Sequence, residues 1–371
     1  MKKTKLGVKI YSYDWHLKHN LSPDSAANRL EEQGIDFVVA QNRYVPMATS
    51  AVESGLSKKK ELKLKALSDR DFAESLQGSG IEYWAACNVF FAPEQLKKHP
   101  ECRPVDQYGL DAKKIDWYVG ICPSCESYWE ERKSQIIRST EELQPDGVFL
   151  GFIRFPGFWE LWLPQTERAE WPEFCFCSRC RKKFAEDMGI ENISEQGDNQ
   201  RDWILSKVYQ KFVEWKTNLI VSRVREISES VKAIDQDIDI MINTLPFIGK
   251  DFSGAGSEVF GQDKEKLSSV ADVFELMTYH QILGRQVHWI GNTISKLKER
   301  TPRSISSTIQ VNPYYIEGMH ADKGRETELT AQEFERAIKI ARNSGADRIS
   351  LFTWSDLLMS KKKQKKLKNL T

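Results

Sequence analysis

The chain has 371 residues, 40% hydrophobic and 11% aromatic, which is enough apolar material for a sizeable core and argues against disorder. Its 54 Lys and Arg balance 53 Asp and Glu for a formal net charge of +1, so the broad basic footprint of a nucleic-acid binder is missing. No apolar run nears the ~20 residues that span a bilayer. Partners of nucleic-acid or membrane type are therefore not expected. The opening MKKTKLGVKIYSYDW is basic but has no apolar stretch of the secretory-signal kind. The expected location is cytoplasmic for this sequence, and secreted or periplasmic if a signal peptide has been removed.

Short apolar runs alternate with helical patterns along the chain. The first predicted strand is Leu6–Tyr13, followed by a helix at Ser25–Gln33. A strand at Asp36–Ala40 precedes a helix at Asp69–Gln77, and a strand at Ile81–Val89 precedes a helix at Tyr128–Leu143. The fourth strand, Gly147–Ile153, leads to a long helix at Trp203–Lys232. Strands at Ile238–Asn243 and Val273–Tyr279 come next, then a helix at Gln286–Lys298. Strand Ser304–Gln310, helix Ala331–Ser344 and strand Arg348–Phe352 complete the series. The penultimate helix is well signalled: Thr330 suits an N-cap, Glu333 its capping-box partner, and Gly345 a stop. The tail KKKQKKLKNLT reads as a solvated final helix or a frayed end, with a nucleic-acid or membrane tether as the alternative. Eight strands with helices between them predict an α/β fold, a single (β/α)8 barrel over residues 1–371, with extended loops after strands 3, 4 and 5. An open doubly wound sheet is disfavoured, because no glycine-rich loop follows the first strand.

Seven cysteines occur, an odd number that argues against a disulfide framework and for a reducing compartment. Cys175, Cys177 and Cys180 form CxCxxC, and Cys122 and Cys125 form an upstream CxxC. Thiolates hold zinc tetrahedrally, and four of them leave no open position, so the expected cofactor is a structural zinc. Five cysteines compete for those four places.

This region also carries a resemblance. CPSCESYWEER, the strand GVFLGFIRFPG and FCFCSRCRKKF resemble the fourth-strand region of family 42 β-galactosidases. The resemblance implies Cys122, Cys175, Cys177 and Cys180 as the zinc ligands, with Cys125 where a serine is usual. More widely, DGVFLGFIRFP, ELMTYHQ, STIQV and GADRISLFTWSDL resemble uncharacterised glycoside-hydrolase-like barrels. That implies action on carbohydrate and does not name the sugar. Two departures matter. Family 42 enzymes place a nucleophile glutamate on strand seven, whereas this strand reads SSTIQVN with Gln310, so the family's catalytic pair does not transfer. Related barrels tend to read DGxxLDxIRxP at strand four, whereas Gly151 stands here at the second acid's position. Gly151 marks either a lost catalytic carboxylate or a close approach of backbone to a neighbour or ligand.

In a barrel of this kind the site is built at the carboxyl ends of the strands. The catalytic candidates are Glu160, Glu275 and Asp356, with Asp14 behind them and Gly151 as the vacated position. The substrate-binding candidates are Trp15, Asn88, Arg154, Trp159, Asn243, Tyr279, His280, Gln310 and Trp354. Rings suit the apolar faces of pyranosides, and amides and carboxylates suit their hydroxyls. Each has a structural alternative. Asp356 suits a helix cap, His280 a buried core histidine, Arg154 a scaffold ion pair, Trp159 a cover for the barrel mouth, and Glu275 a place too deep for substrate. The expected function is hydrolysis of a glycosidic bond in a glycoside or oligosaccharide by side-chain carboxylates, without a catalytic metal. The alternative is a carbohydrate-binding barrel without turnover. A metal-dependent hydrolase is disfavoured, because no HxH follows the first strand.

Overall fold

A computed structural model describes residues 3–46 and 56–370. Eight parallel strands close into a barrel in sequence order. They are β1 (Lys5–Ile10), β2 (Phe37–Gln41), β3 (Glu82–Asn88), β4 (Gly147–Gly151), β5 (Asp239–Thr244), β6 (Val273–Leu276), β7 (Ser304–Gln310) and β8 (Arg348–Phe352). Closure joins β1 to β8, with Gly7 opposite Ser350. The predicted first, third, fourth and sixth strands run past these limits at their carboxyl ends. There the backbone leaves the ladder, and Phe152, just beyond β4, takes a φ of 54°.

Alternate residues point inward. Phe37, Val39, Trp84, Phe149 and Met241 pack together as the lower interior of the barrel. Gly7 and Gly147 make room for this layer, because a Cβ at Gly7 would collide with the Phe37 ring and one at Gly147 with the Trp84 ring. The larger core lies between the sheet and the surrounding helices.

Helix Ala331–Asn343 has the predicted N-cap, with the Thr330 hydroxyl accepting from the Glu333 N–H, but the expected capping box does not close, because the Glu333 side chain is turned to His280. The Glu333 carboxylate meets His280 Nε2 at 3.0 Å. The predicted long helix is two helices, Gln200–Lys207 and Tyr209–Ile234, broken at Val208, where φ is −132°. The tail forms the helix Lys361–Lys368. Residues 89–125 separate β3 from the helix Glu126–Leu143, and residues 152–177 separate β4 from the helix Ser178–Met188. Among the described residues, no helix is long and apolar enough to cross a membrane.

Candidate active site

A cavity of about 1030 Å³ opens at the carboxyl ends of the strands. It brings together seven of the sequence candidates: Asn88, Gly151, Arg154, Trp159, Glu160, Asn243 and Tyr279. Trp159 and Tyr279 stack with ring centroids 5.9 Å apart and planes 26° from parallel. Phe91 and Phe152 stack at 4.6 Å on the other wall, with Trp117 edge-on to Phe91 at 5.3 Å. Such aromatic walls match the apolar faces of a sugar ring.

Glu160 sits in the short 3-10 turn Trp159–Leu161 and is 6% exposed. Its Oε2 is buried and has no hydrogen-bond partner. Burial pushes its carboxyl up to about 7, against the opposing pull of Arg154 and Arg325. Arg325 is held nearby by hydrogen bonds from its guanidinium to the carbonyls of Glu160 and Ile282. A carboxyl that keeps its proton near neutrality is suited to general-acid work. Arg154 and Asn88 share its condition: the Arg154 Nε and the Asn88 Nδ2 are buried without partners. Three unsatisfied polar atoms therefore belong to side chains on one cavity. Buried polar groups are normally paired, so this concentration makes the cavity a candidate ligand site.

Glu275 is fully buried and lies beneath this cavity. Ser350 Oγ donates to its Oε1 at 2.7 Å, and Asn243 Nδ2 donates to its Oε2 at 2.8 Å. Lys9 Nζ also donates to Oε2 and forms an ion pair with it. Burial lowers the Lys9 ammonium, partly offset by Glu275. Both Glu275 oxygens are committed, so its placement matches the deep alternative.

Other sequence candidates lie away from the cavity. Asp356 is the N3 residue of the helix Trp354–Met359 and closes a capping box with Thr353. Asn312 Nδ2 donates to it at 2.9 Å, and the Tyr314 hydroxyl donates to it as well. Trp354 does not share a pocket with Tyr279, contrary to expectation. The chain turns into a helix at Thr353, which sends the Trp354 ring into the outer layer, where Nε1 donates to Gln33 at 3.0 Å. Trp15 likewise stacks on Phe72 at 4.5 Å between helices. Gln310 is internal scaffold: it accepts from the Ile282 N–H and donates to Gln281 Oε1 at 3.0 Å. His280 lines a separate pocket with Glu333. Asp14 is paired with Lys18 at the surface.

Sequence reading missed Lys9, Tyr11, Trp117, Phe152, Tyr314, Tyr315 and Phe352, all of which line the cavity. Inward parity along β1 and β8 points to Lys9, Tyr11 and Phe352. Trp117, Tyr314 and Tyr315 lie on irregular segments whose position no periodicity encodes.

The cysteine cluster forms beside the barrel. Ligand atoms of Cys122, Cys175, Cys177 and Cys180 all lie within 4.8 Å of one another, and all four residues are buried. Cys122 Sγ is 3.8 Å from Cys177 Sγ and 3.4 Å from Cys180 Sγ. Sulfurs about 2.3 Å from a central ion stand about 3.8 Å apart in a tetrahedron, so the donor set fits a metal. Hydrogen bonds from Cys122, Cys175 and Cys180 draw the Cys177 thiol far below its usual range. Cys125 is outside the cluster. It forms a disulfide with Cys102, with Cα atoms 5.4 Å apart. The odd cysteine count did not anticipate this bond, which forms because the Cys122 N–H donates to the Cys102 carbonyl and brings the two segments side by side.

No family model matches the chain, and no curated protein matches it in sequence. Solved structures do match. The fold they share with this chain is the closed eight-stranded barrel. The glycoside hydrolase domain of PgaB (BpsB) from Bordetella bronchiseptica superposes with a TM-score of 0.66 over 99% of both chains, at 11% identity. A β-galactosidase from Rahnella sp. R3 gives 0.61 over 95% of this chain and 50% of its own, at 14% identity. An α-L-fucosidase from Paenibacillus thiaminolyticus gives 0.62 over 99% of this chain and 48% of its own, at 12% identity. The chain thus spans about half the length of the galactosidase and fucosidase chains. At these identities the likeness concerns the fold.

Proposed function

We propose that this chain is a glycoside hydrolase that uses Glu160 as its general acid. The observation that carries the reading is Glu160 itself: a buried carboxyl held near 7, with an unpartnered oxygen, on an aromatic-walled cavity. Its proton would pass to the glycosidic oxygen as the bond to the anomeric carbon breaks and a water oxygen bonds to that carbon, the water giving up a proton to solvent and Glu160 taking one back. Trp159 and Tyr279 would stack on the sugar, while Asn88, Asn243 and Arg154 bond its polar groups. The barrels it resembles in structure include enzymes named for galactosides and fucosides, which supports a carbohydrate substrate. Cys122, Cys175, Cys177 and Cys180 would hold a structural zinc that ties the β4 loop to the start of the helix Glu126–Leu143.

Gly151 favours a second reading, a barrel that binds sugar with little turnover. It lines the cavity where related barrels carry an acid, and Glu275 is sealed below by Lys9, Asn243 and Ser350. A space left by a missing carboxylate admits a small external nucleophile. The test is a panel of nitrophenyl glycosides and oligosaccharides, with the native chain, Glu160→Gln and Gly151→Asp side by side, with and without azide or formate. Hydrolysis by the native chain that Glu160→Gln lowers by ~10²-fold or more supports the acid role. Turnover that appears only with added nucleophile or with Gly151→Asp supports the second reading. Full activity in Glu160→Gln refutes the acid assignment.

A further inference from the structure

The charges around the cavity are unequal once paired groups are set aside. Lys9 is neutralised by Glu275. Lys97, exposed at the rim, pairs with Glu94 at 2.7 Å. What remains on the cavity is Arg103, Lys114 and Arg154 against Glu160. Arg103 Nη1 donates to the Ala112 carbonyl at 3.0 Å, a bond that orients the side chain without cancelling its charge.

Arg154 is the informative member. It is 3% exposed. Its guanidinium lies over the Phe152 ring at 5.1 Å and the Tyr118 ring at 5.7 Å. One long hydrogen bond reaches the Gly157 carbonyl at 3.5 Å, and Nε has no partner. Among the described residues, no carboxylate oxygen comes within ion-pair reach of it. A buried cation left in this state is costly unless something completes it. The guanidinium is a planar fork that matches carboxylate or sulfate oxygens two at a time.

We propose that the cavity takes an anionic carbohydrate, whose carboxylate or sulfate sits on Arg154 while Arg103 and Lys114 draw the charged chain to the mouth. This rests on the carbohydrate reading above and narrows its substrate class. Glu160 adds support, since a carboxyl that is largely protonated below neutrality does not repel such a ligand. The two rim cations make the attraction dependent on ionic strength.

The experiment is calorimetric binding to two matched pairs. One pair is oligogalacturonate and the same oligosaccharide with its carboxyls reduced to alcohols. The other is a sulfated galactan oligosaccharide and its desulfated counterpart. The expected result is at least ten-fold tighter binding of the charged member of one pair, weakening as salt is raised. The pair that discriminates identifies the anion. Arg154→Gln should erase the preference, with folding checked by thermal melting. Should that variant fail to fold, the double variant Arg103→Gln, Lys114→Gln should flatten the salt dependence and weaken charged binding several-fold. Equal binding of charged and neutral members overturns the anionic proposal and leaves the carbohydrate reading standing. Binding of no carbohydrate of any charge overturns both.

Discussion

Replacing Glu160 with Gln should make the protein more heat-stable at alkaline pH, by an amount the structure sets. The Glu160 carboxyl is raised from 4.5 to about 7, first of all by burial. In the unfolded chain the group loses its proton near its ordinary value. The folded state therefore favours the protonated form. The stability this contributes is complete below about pH 4.5 and is lost as pH rises through about 7. The whole interval is worth about 3 kcal/mol at about 1.4 kcal/mol per pH unit. Between pH 5 and pH 8.5 the native protein should lose about 2.5 kcal/mol from this group alone. The neutral amide that Glu160→Gln introduces does not titrate. With an unfolding entropy of about 0.8 kcal/mol/K for a chain of this size, the gap in Tm between Glu160→Gln and native protein should widen by about 3 °C from pH 5 to pH 8.5. Parallel calorimetric melts at both pH values measure this without any substrate. If the gap is the same at both pH values, the carboxyl is not protonated in its cavity and the acid role loses its basis.

Other outcomes follow from the same geometry. Purified protein should carry about one zinc per chain, and Cys122→Ser should lose the metal while Cys125→Ser keeps it; metal analysis giving the reverse pattern would exchange the two cysteines. Gly151→Asp should fold, with Tm within a few degrees of native, because a new Cβ would meet the Asn88 Oδ1 at 2.8 Å, the end of a side chain whose Nδ2 is unpartnered and free to turn; an insoluble variant would show that the space is not available. Trp354→Ala should cost about 3–5 kcal/mol of stability and leave sugar affinity unchanged, while Trp159→Ala should weaken affinity. A loss of affinity in Trp354→Ala at unchanged Tm would put that ring back in the site.

Most strands were legible because a parallel barrel buries both faces of every strand and writes it as a short apolar run, whereas β7, SISSTIQ, carries only Ile305 and Ile309 as apolar residues. Their ends were harder to read. Met277 to Tyr279 continue the apolar pattern of β6 after the ladder has ended, so burial and strand character part company there. Arg154, Trp159 and Glu160 do reach the cavity, because they follow β4 closely in sequence. Trp354 also follows its strand closely, but Thr353 starts a helix at once and turns the ring outward. Tyr314 and Tyr315 reach the cavity from the segment after β7, where nothing local records the destination. The choice between Cys122 and Cys125 was invisible to spacing. It turns on a partner 23 residues upstream, Cys102, that belongs to no motif.

The hydrogen-bonded group around Glu275 has a consequence for how the chain reaches its folded form. Its members come from β1, β5, β6 and β8, and the Lys9–Glu275 pair spans 266 residues of sequence. A nascent chain that has not yet made β8 is an open sheet with β1 and β7 as bare edges and with Glu275 still in contact with water. Such edges invite pairing with other chains. Closure must strip water from two opposite charges at the moment the last strand docks, and long-range pairings of this kind form slowly. Chaperone dependence and aggregation should therefore concentrate in fragments that stop before Arg348, and Lys9→Met paired with Glu275→Leu should shorten that exposed interval even as it alters the floor of the cavity.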